Sequence, residues 1–165
     1  MLIPNHKIKE GVNYVNDMSH ILPLTIEKPI PQKLARFWGW AFPNADLNAV
    51  YIAYGYRIYT NQSQITEDLV FHEREHVRQQ REVGMWGDRI WLFFYLISKR
   101  IRYQVELQAY QDQCLYLGRT GYLSLEVVQE IAKLMSSSMY QARWERKPMV
   151  SYKQAYEDLQ NVVSG

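Results

Sequence analysis

The sequence predicts an α+β fold, in which a small antiparallel sheet near the N-terminus precedes a mainly helical body. Two observations carry this prediction. From Ala49 to Tyr59, β-branched and aromatic residues dominate and alternate with a period of two, which is typical of strands. After these residues, long stretches of helix-forming residues are separated by Gly84, Gly118 and Pro148, and such residues commonly end helices.

The first part of the chain is predicted to contain little regular structure. Residues 1–34 include four prolines, which limit helix formation, although a short strand over residues 24–27 fits the pattern. Residues 34–41 are expected to form a short helix. The stretch 49–59 is expected to form one or two strands, with Gly55 marking a bulge or a close approach of the backbone.

The helical body is predicted to begin after Thr66, which can cap a helix whose first turn holds Glu67 and Asp68. Acidic residues in a first turn interact favourably with the helix dipole. Ser124 can cap a later helix in the same way. The predicted helices span residues 67–83, 87–117 with an allowed bend, 124–143 and 152–162. The whole chain, 1–165, is expected to form one domain with its core in residues 35–147.

The composition is that of a globular protein and excludes several functions. With 165 residues, 47% of them hydrophobic, the chain can bury a core without disulfides or a structural metal. Lys and Arg number 19 against 17 Asp and Glu, and no run of like charges indicates a nucleic-acid partner. The longest apolar run, Ile90–Ile97, is far shorter than the roughly 20 residues of a transmembrane helix, so no membrane span is expected.

The N-terminal sequence and the cysteine content indicate the cellular compartment in which the protein is expected. The chain opens without the apolar stretch of a signal peptide. Its single cysteine, Cys114, cannot form an intramolecular disulfide, which favours a reducing compartment. We therefore expect a cytoplasmic protein.

One motif indicates metal chemistry. Residues His72 to His76 read HEREH, which matches the pattern H-E-x-x-H. Residues four apart on an α-helix lie about 40° apart around its axis, so His72 and His76 share one face. Their imidazole nitrogens can then bind one zinc ion at about 2.0–2.1 Å. The sequence thus predicts one Zn²⁺ per chain, held in part by these two histidines.

Glu73 is the predicted general base. It lies about 60° from His76 around the same helix, so it can act beside the metal without binding it. Zinc lowers the pKa of a coordinated water towards about 7. A neighbouring carboxylate can take the proton from that water and later pass it to a leaving group.

A catalytic zinc site usually has three protein ligands and one open position. Glu106 is the candidate third ligand, because it is the only acidic residue between Asp88 and Asp112. These two aspartates are the alternatives. A second interpretation makes Glu106 a surface carboxylate that pairs with Arg102, four residues earlier.

The segment HEREH, followed by ELQAY from Glu106 onward, resembles the gluzincin metallopeptidases over roughly residues 45–115. In that family a glutamate on a following helix completes the metal site, often with alanine three residues later, as Ala109 is here. Short gluzincin-like proteins of this kind are often carried by tailed phages. The resemblance implies a minimal zincin-like fold, Glu106 as a zinc ligand and a peptide or protein substrate. A phage-encoded chain would act in the virion or the host cell.

The resemblance also implies a substrate-binding strand. In metallopeptidases of this type, an edge strand near the motif helix pairs with the extended substrate backbone. Here Tyr51, Ile52, Ala53 and Tyr54 are in the matching position, and they could bind substrate by strand addition. An ordinary sheet strand is the alternative.

Three tyrosines are candidate hydrogen-bond donors to the oxyanion of a tetrahedral intermediate: Tyr103, Tyr110 and Tyr140. Tyr140 is preferred, and it is expected on the helix that Ser124 caps. With 13 tyrosines in the chain, a packing role is the alternative for each of them.

The apolar run Ile90–Ile97 has two interpretations. With Lys99 and Arg100 beside it, the run could lie on a membrane surface. The preferred interpretation places it in the core, on the helix that carries Glu106, because the run is apolar nearly all round.

Three classes of function fit these observations. A zinc-dependent peptidase, or another amide hydrolase, is preferred. The alternatives are a non-catalytic zinc-binding component of an assembly such as a virion, and a partner-binding protein whose histidines are incidental. Glu73 favours the first class, because a structural zinc site has no use for a base and usually fills its fourth position with Cys or His.

Overall fold

The computed structural model describes residues 25–84 and 87–163. Within these ranges, a small sheet is followed by a mainly helical body, which confirms the expected α+β class. The strands are β1 (Thr25–Glu27), β2 (Tyr51–Tyr54) and β3 (Arg57–Thr60). The helices are α1 (Gln32–Ala41), α2 (Glu67–Glu82), α3 (Gly87–Ile97), α4 (Lys99–Arg119), α5 (Leu125–Met135) and α6 (Tyr152–Val163), with a 3-10 turn at Ser138–Tyr140.

The N-terminal prediction holds only in part. Residues 1–24 lie outside the described ranges. Strand β1 agrees with the short strand that fits residues 24–27, whereas the first residues of α1, which were expected to be irregular, are helical. The helix predicted over residues 34–41 thus begins two residues earlier, at Gln32, after Pro31, and proline is well suited to a helix start.

The sheet is mixed, whereas the sequence predicted an antiparallel one. β2 and β3 form an antiparallel hairpin, but β1 pairs with β3 in parallel. Parallel neighbours need a long crossover connection, and the chain between β1 and β3 provides one that includes α1. The strand order β1-β3-β2 leaves β2 at an edge of the described sheet.

Gly55 belongs to the hairpin turn. Gly55 and Tyr56 have φ angles of 59° and 64°, and two consecutive positive φ angles are typical of a two-residue type I′ turn. A Cβ atom built on Gly55 would have no atom within 4 Å. Both earlier interpretations of Gly55, as a bulge or a close backbone approach, are therefore wrong, and the stretch 49–59 forms two strands.

The bend allowed within residues 87–117 is a complete break. The chain leaves α3 at Ile97 and starts α4 at Lys99, and the Ser98 hydroxyl accepts a hydrogen bond from the Ile101 amide at 3.3 Å. Serine is a favoured N-cap because its oxygen satisfies a free amide of the first turn. The break lets α3 and α4 pack against each other as separate helices.

Helix α5 begins after Ser124 as predicted but ends at Met135, well before residue 143. Three serines follow, and the Ser137 hydroxyl accepts a hydrogen bond from the Met139 amide at 3.2 Å. Serine side chains compete with helical hydrogen bonds in this way. Tyr140 therefore lies on the 3-10 turn after the helix.

The apolar run Ile90–Ile97 is buried on one side only, which corrects the preferred sequence interpretation. Trp91 and Tyr95 enter the core with α1 and β2. The side chains on the other side of α3 are exposed. Glu106 lies on α4 and not on this helix.

The motif helix α2 packs along α4 and against β2. One apolar cluster, around Trp38, Phe42 and Trp91, lies on the side of α1 and α3, and a second, around Met135 and Leu159, lies on the side of α5 and α6. This packing directs residues of both α2 and α4 toward a shared interior. No helix in the described ranges is long and apolar enough to cross a membrane.

Candidate metal centre

The structure brings the three predicted ligands together. Nε2 of His72 and Nε2 of His76 are 3.2 Å apart. Each also lies 3.4 Å from an oxygen of Glu106, His72 from Oε2 and His76 from Oε1. All three side chains are buried, and among the described residues they form the only group of three or more His, Cys, Asp or Glu residues placed to hold one metal ion.

The spacing of these atoms fits a zinc site. Two ligand atoms bound to a tetrahedral zinc at about 2.0–2.1 Å are about 3.3–3.4 Å apart, close to the separations found here. Glu106 Oε2 is buried without a hydrogen-bond partner in the described structure, so one carboxylate oxygen is free to bind a metal. Two imidazoles and one carboxylate are also a donor set that catalytic zinc sites use.

The charges of the three groups stabilise positive charge between them. Burial acts to lower the pKa of His76, but the nearby Glu106 carboxylate outweighs it and raises that pKa to about 9. Burial acts to raise the pKa of Glu106, but the two imidazoles outweigh it and hold that pKa well below its ordinary value. A cation between these groups is favoured for the same electrostatic reason.

Gln79 orients one of the histidines. Its Oε1 lies 3.1 Å from Nδ1 of His76, and its Nε2 donates to the Val105 carbonyl at 3.0 Å and to Gln108 at 3.1 Å. If Nδ1 of His76 donates to Gln79, its Nε2 carries the lone pair, and this atom faces His72 and Glu106. Nδ1 of His72 has no such partner among the described residues.

Tyr95 holds the Glu106 carboxylate in place. Its hydroxyl donates to Oε1 of Glu106 at 2.6 Å. Arg102 does not pair with Glu106, so the alternative interpretation of Glu106 as a surface carboxylate is wrong. Instead, Arg102 forms an ion pair with Glu145 and donates to the Tyr95 carbonyl at 2.6 Å.

Glu73 lies beside the three ligands in the same cavity. It is 6% exposed, and its Oε2 has no hydrogen-bond partner among the described residues. Burial raises its pKa, and this effect exceeds the opposing attraction of the two imidazoles. A carboxylate with a raised pKa is better matched to general base chemistry near neutral pH.

The cavity above these groups has a volume of about 300 Å³. Its polar groups are concentrated at the ligands and Glu73, and its other walls are largely apolar. The apolar walls include Trp38 of α1, Phe42 directly after it, Ile52 of β2 and Trp91 of α3. A few polar groups converging in an apolar cleft are typical of small-molecule and peptide sites.

Tyr140 lines this cavity, although it comes from the 3-10 turn and not from the predicted helix. Its hydroxyl lies 2.7 Å from that of Tyr110, whose ring packs 4.2 Å from that of His72. Burial raises the pKa of both phenols well above the ordinary value, so both keep their protons at neutral pH. Tyr103 lies elsewhere, hydrogen-bonded to Asp158.

The predicted substrate strand coincides with β2. Three of its residues, Tyr51, Ile52 and Ala53, line the cavity, whereas Tyr54 does not. The strand is paired with β3 on one side only in the described sheet. Gln80 donates to the Ala53 carbonyl at 2.8 Å, which already uses one acceptor of the strand.

The alternative third ligands lie apart from this centre. Asp112 is exposed on α4, and Asp88 lies in the first turn of α3. Gln79 and Tyr95 were not among the residues predicted from the sequence. The position of Gln79, three residues after His76, was a usable signal because residues at that spacing are neighbours on a helix. Tyr95 gave no such signal, since it comes from a different helix.

Replacing Gln79 with leucine is expected to weaken zinc binding by about 10-fold to 100-fold, the usual effect of removing a hydrogen-bond partner of a ligand. The change removes the acceptor for Nδ1 of His76 and keeps much of the side-chain volume. Competition with a chromophoric chelator measures the affinity. The matched control is Gln104→Leu, at an exposed glutamine of α4. Equal affinities for the two variants would show that Gln79 has no orienting role.

Comparison of the chain with protein-family models, with curated proteins and with solved structures finds no match. The interpretation of this centre therefore depends on its own geometry and chemistry.

Proposed function

We propose that this chain is a zinc-dependent hydrolase that cleaves peptide bonds or similar amide bonds. One observation carries the proposal: two imidazole nitrogens and a carboxylate lie 3.2–3.4 Å apart in a cavity that also holds the buried Glu73. The resemblance of HEREH and ELQAY to the gluzincins supports the same activity. A purely structural metal site would gain nothing from the unpaired Glu73 carboxylate, whose burial is costly.

In this proposal, His72, His76 and Glu106 hold the metal, with Gln79 and Tyr95 orienting two of them. When bound, zinc supplies a Lewis acid that lowers the pKa of a coordinated water towards about 7. Glu73 accepts a proton at its carboxylate and delivers it to the amine that leaves.

The paired hydroxyls of Tyr110 and Tyr140 provide protonated donors at the wall of the cavity. Donors of this kind stabilise negative charge that develops on a carbonyl oxygen during acyl transfer. The edge strand β2 offers backbone groups to an extended substrate, chiefly at Tyr51, because Ile52 pairs with Tyr59 of β3 and Gln80 already binds the Ala53 carbonyl. The substrate class that fits is an extended peptide with an apolar side chain next to the cleaved bond.

The purified or reconstituted protein is expected to hold about one zinc per chain, as three ligands and one open position require. Elemental analysis after dialysis measures this number. Since ferrous iron also binds two histidines and one carboxylate, reconstitution should compare zinc with ferrous iron. His76→Ala and Glu106→Gln are each expected to lose the metal.

The matched control is Asp112→Asn, which changes the exposed carboxylate that the sequence left as an alternative ligand. It should bind as much zinc as the unchanged protein. A zinc content below about a tenth of an equivalent, with no uptake on addition of zinc, would contradict the proposed site. If the Glu106→Gln variant still holds one equivalent of zinc, the two histidines remain candidate ligands, but Glu106 is not a ligand.

A further inference from the structure

The outward side of α3 is an apolar surface with no partner in the described structure. Its members recur at helical spacings of three and four, which places them on one stripe. Phe93 is 56% exposed and Ile97 is 53% exposed. We call this stripe the outer face of α3; it consists of Ile90, Phe93, Phe94 and Ile97. Large apolar side chains gathered in this way usually mark an interaction site.

A basic segment adjoins the C-terminal end of the outer face. Lys99 and Arg100 begin α4 directly after the break, and the Lys99 ammonium donates to the Lys147 carbonyl at 3.3 Å. That contact holds the loop 143–147 beside the start of α4. The side chains of Arg146 and Lys147 are exposed. Positive charge is therefore concentrated next to the exposed apolar stripe.

The acidic residue of this loop does not cancel that charge. Glu145 forms an ion pair with Arg102, which is fully buried, and also accepts a hydrogen bond from the Ala142 amide at 3.1 Å. On α3 itself the only acidic residue is Asp88, at the opposite end of the helix. The exposed cations of the loop and of Arg100 are thus available to an anionic partner.

Two exposed tryptophans lie side by side, Trp144 on this loop and Trp40 near the end of α1. Trp40 and Trp144 have rings 5.9 Å apart and are each about half exposed. The guanidinium of Arg143 lies over the Trp40 ring at 5.8 Å and donates to the Trp40 carbonyl. Tryptophan is favoured at the boundary between water and lipid, where its ring meets apolar chains and its N–H meets polar groups.

We propose that the outer face of α3 and the basic loop 143–147 bind the surface of an anionic lipid bilayer. The apolar face inserts its phenyl and aliphatic groups among the lipid chains, while the neighbouring lysines and arginines contact anionic headgroups. Exposed Phe with adjacent Lys and Arg is the composition of helices that lie in a membrane interface. Each such cation near an anionic surface adds an attraction that salt weakens.

This surface bears on the cavity because α3 contributes to both. Trp91 and Tyr95 line the cavity from the inner side of the helix, opposite the outer face. Binding through the outer face would therefore hold the cavity close to the bilayer. The proposal does not depend on the proposed hydrolase activity, since lipid binding needs neither the metal nor Glu73.

Flotation with vesicles tests the proposal. The full chain is expected to float with vesicles of phosphatidylcholine mixed with phosphatidylglycerol, and much less with phosphatidylcholine alone. Phe93→Ser combined with Phe94→Ser is expected to weaken binding on the order of 100-fold, because two exposed phenyl groups lose their contact with lipid. Arg146→Gln combined with Lys147→Gln is expected to weaken it on the order of tenfold.

The matched control is Leu115→Ser combined with Leu125→Ser. Both leucines are as exposed as the phenylalanines, and Leu115 lies about 24 Å along α4 from Lys99. This variant should bind vesicles like the unchanged chain. Circular dichroism of each variant checks folding, and the charge variant gives a separate result because it leaves the apolar face intact.

Three outcomes would overturn the proposal. The chain could fail to float with either vesicle. Its binding could be unaffected by both the phenylalanine and the charge variants. Light scattering could show a dimer that the phenylalanine variant separates while vesicles bind neither form, in which case a second copy of the chain occupies this face.

Discussion

Glu73→Gln is expected to reduce the turnover of a cleaved peptide on the order of 10²-fold to 10⁴-fold, while zinc content and folding stay unchanged. Glutamine keeps the shape of the side chain but cannot accept the proton. Glu73 is buried beside His72, His76 and Glu106 but does not belong to this group of three candidate ligands. Replacing its carboxylate should therefore not release the metal. A peptide library, with products identified by mass spectrometry, supplies the substrate for this measurement.

Glu75→Gln is the matched control, since Glu75 is an equally buried glutamate on the same helix that pairs with Arg78 instead of facing the cavity. Its turnover should equal that of the unchanged protein. If Glu73→Gln cleaves as fast as the unchanged chain, the proposed role of Glu73 is wrong even with zinc bound. If zinc binds but no peptide in the library is cleaved, the non-catalytic zinc-binding component becomes the better interpretation.

Arg102→Met is expected to lower the free energy of unfolding by about 3–5 kcal/mol, the usual effect of removing one partner of a buried ion pair. Arg102 is 0% exposed. It forms an ion pair with Glu145 and donates to the carbonyls of Tyr95 and Leu96, at 2.6 and 3.2 Å. Methionine fills similar space but leaves the carboxylate and both carbonyls without their donor. Urea unfolding followed by circular dichroism measures the change.

The control is Arg100→Met, two residues earlier on the same helix and exposed. A change of this kind on the surface usually alters the free energy of unfolding by no more than about 0.5 kcal/mol. Adding Glu145→Gln to Arg102→Met should restore part of the loss, because it removes the unpaired charge. Equal unfolding free energies for Arg102→Met and Arg100→Met would mean that the buried pair contributes nothing to stability.

Local patterns in the sequence were sufficient to predict where most of the helices lie. Thr66 and Ser124 directly precede α2 and α5, although only the Ser124 side chain accepts a capping hydrogen bond, and Gly84 follows α2 with a φ angle of 97°. The predicted stop at Gly118 is wrong, because α4 continues through it to Arg119, and Gly121 with a φ angle of 76° follows the helix. These signals depend on backbone groups within a few residues, so neighbouring residues determine them. The end of α5 was missed because three serines, and not a glycine or proline, draw the chain out of the helix.

Contacts between residues that lie far apart in the sequence could be identified only from the folded structure. The parallel pairing of β1 with β3, the outward side of α3 and the contacts of Arg102 all depend on which elements pack together. The apolar run in α3 was expected in the core because periodicity cannot tell a buried helix from one with an exposed apolar side. Arg102 was weighed as a partner of Glu106 four residues away, yet it binds Glu145, 43 residues away.

For the candidate metal centre, the sequence by itself determined His72, Glu73 and His76. Their relative positions follow from the pitch of one helix, which local hydrogen bonds fix. Only the tertiary structure placed Glu106, Tyr95 and the Tyr110–Tyr140 pair at the same cavity. Those positions depend on α4 packing along α2, on the break at Ser98 and on the early end of α5, which are set by burial across the whole chain and not by any short stretch of it.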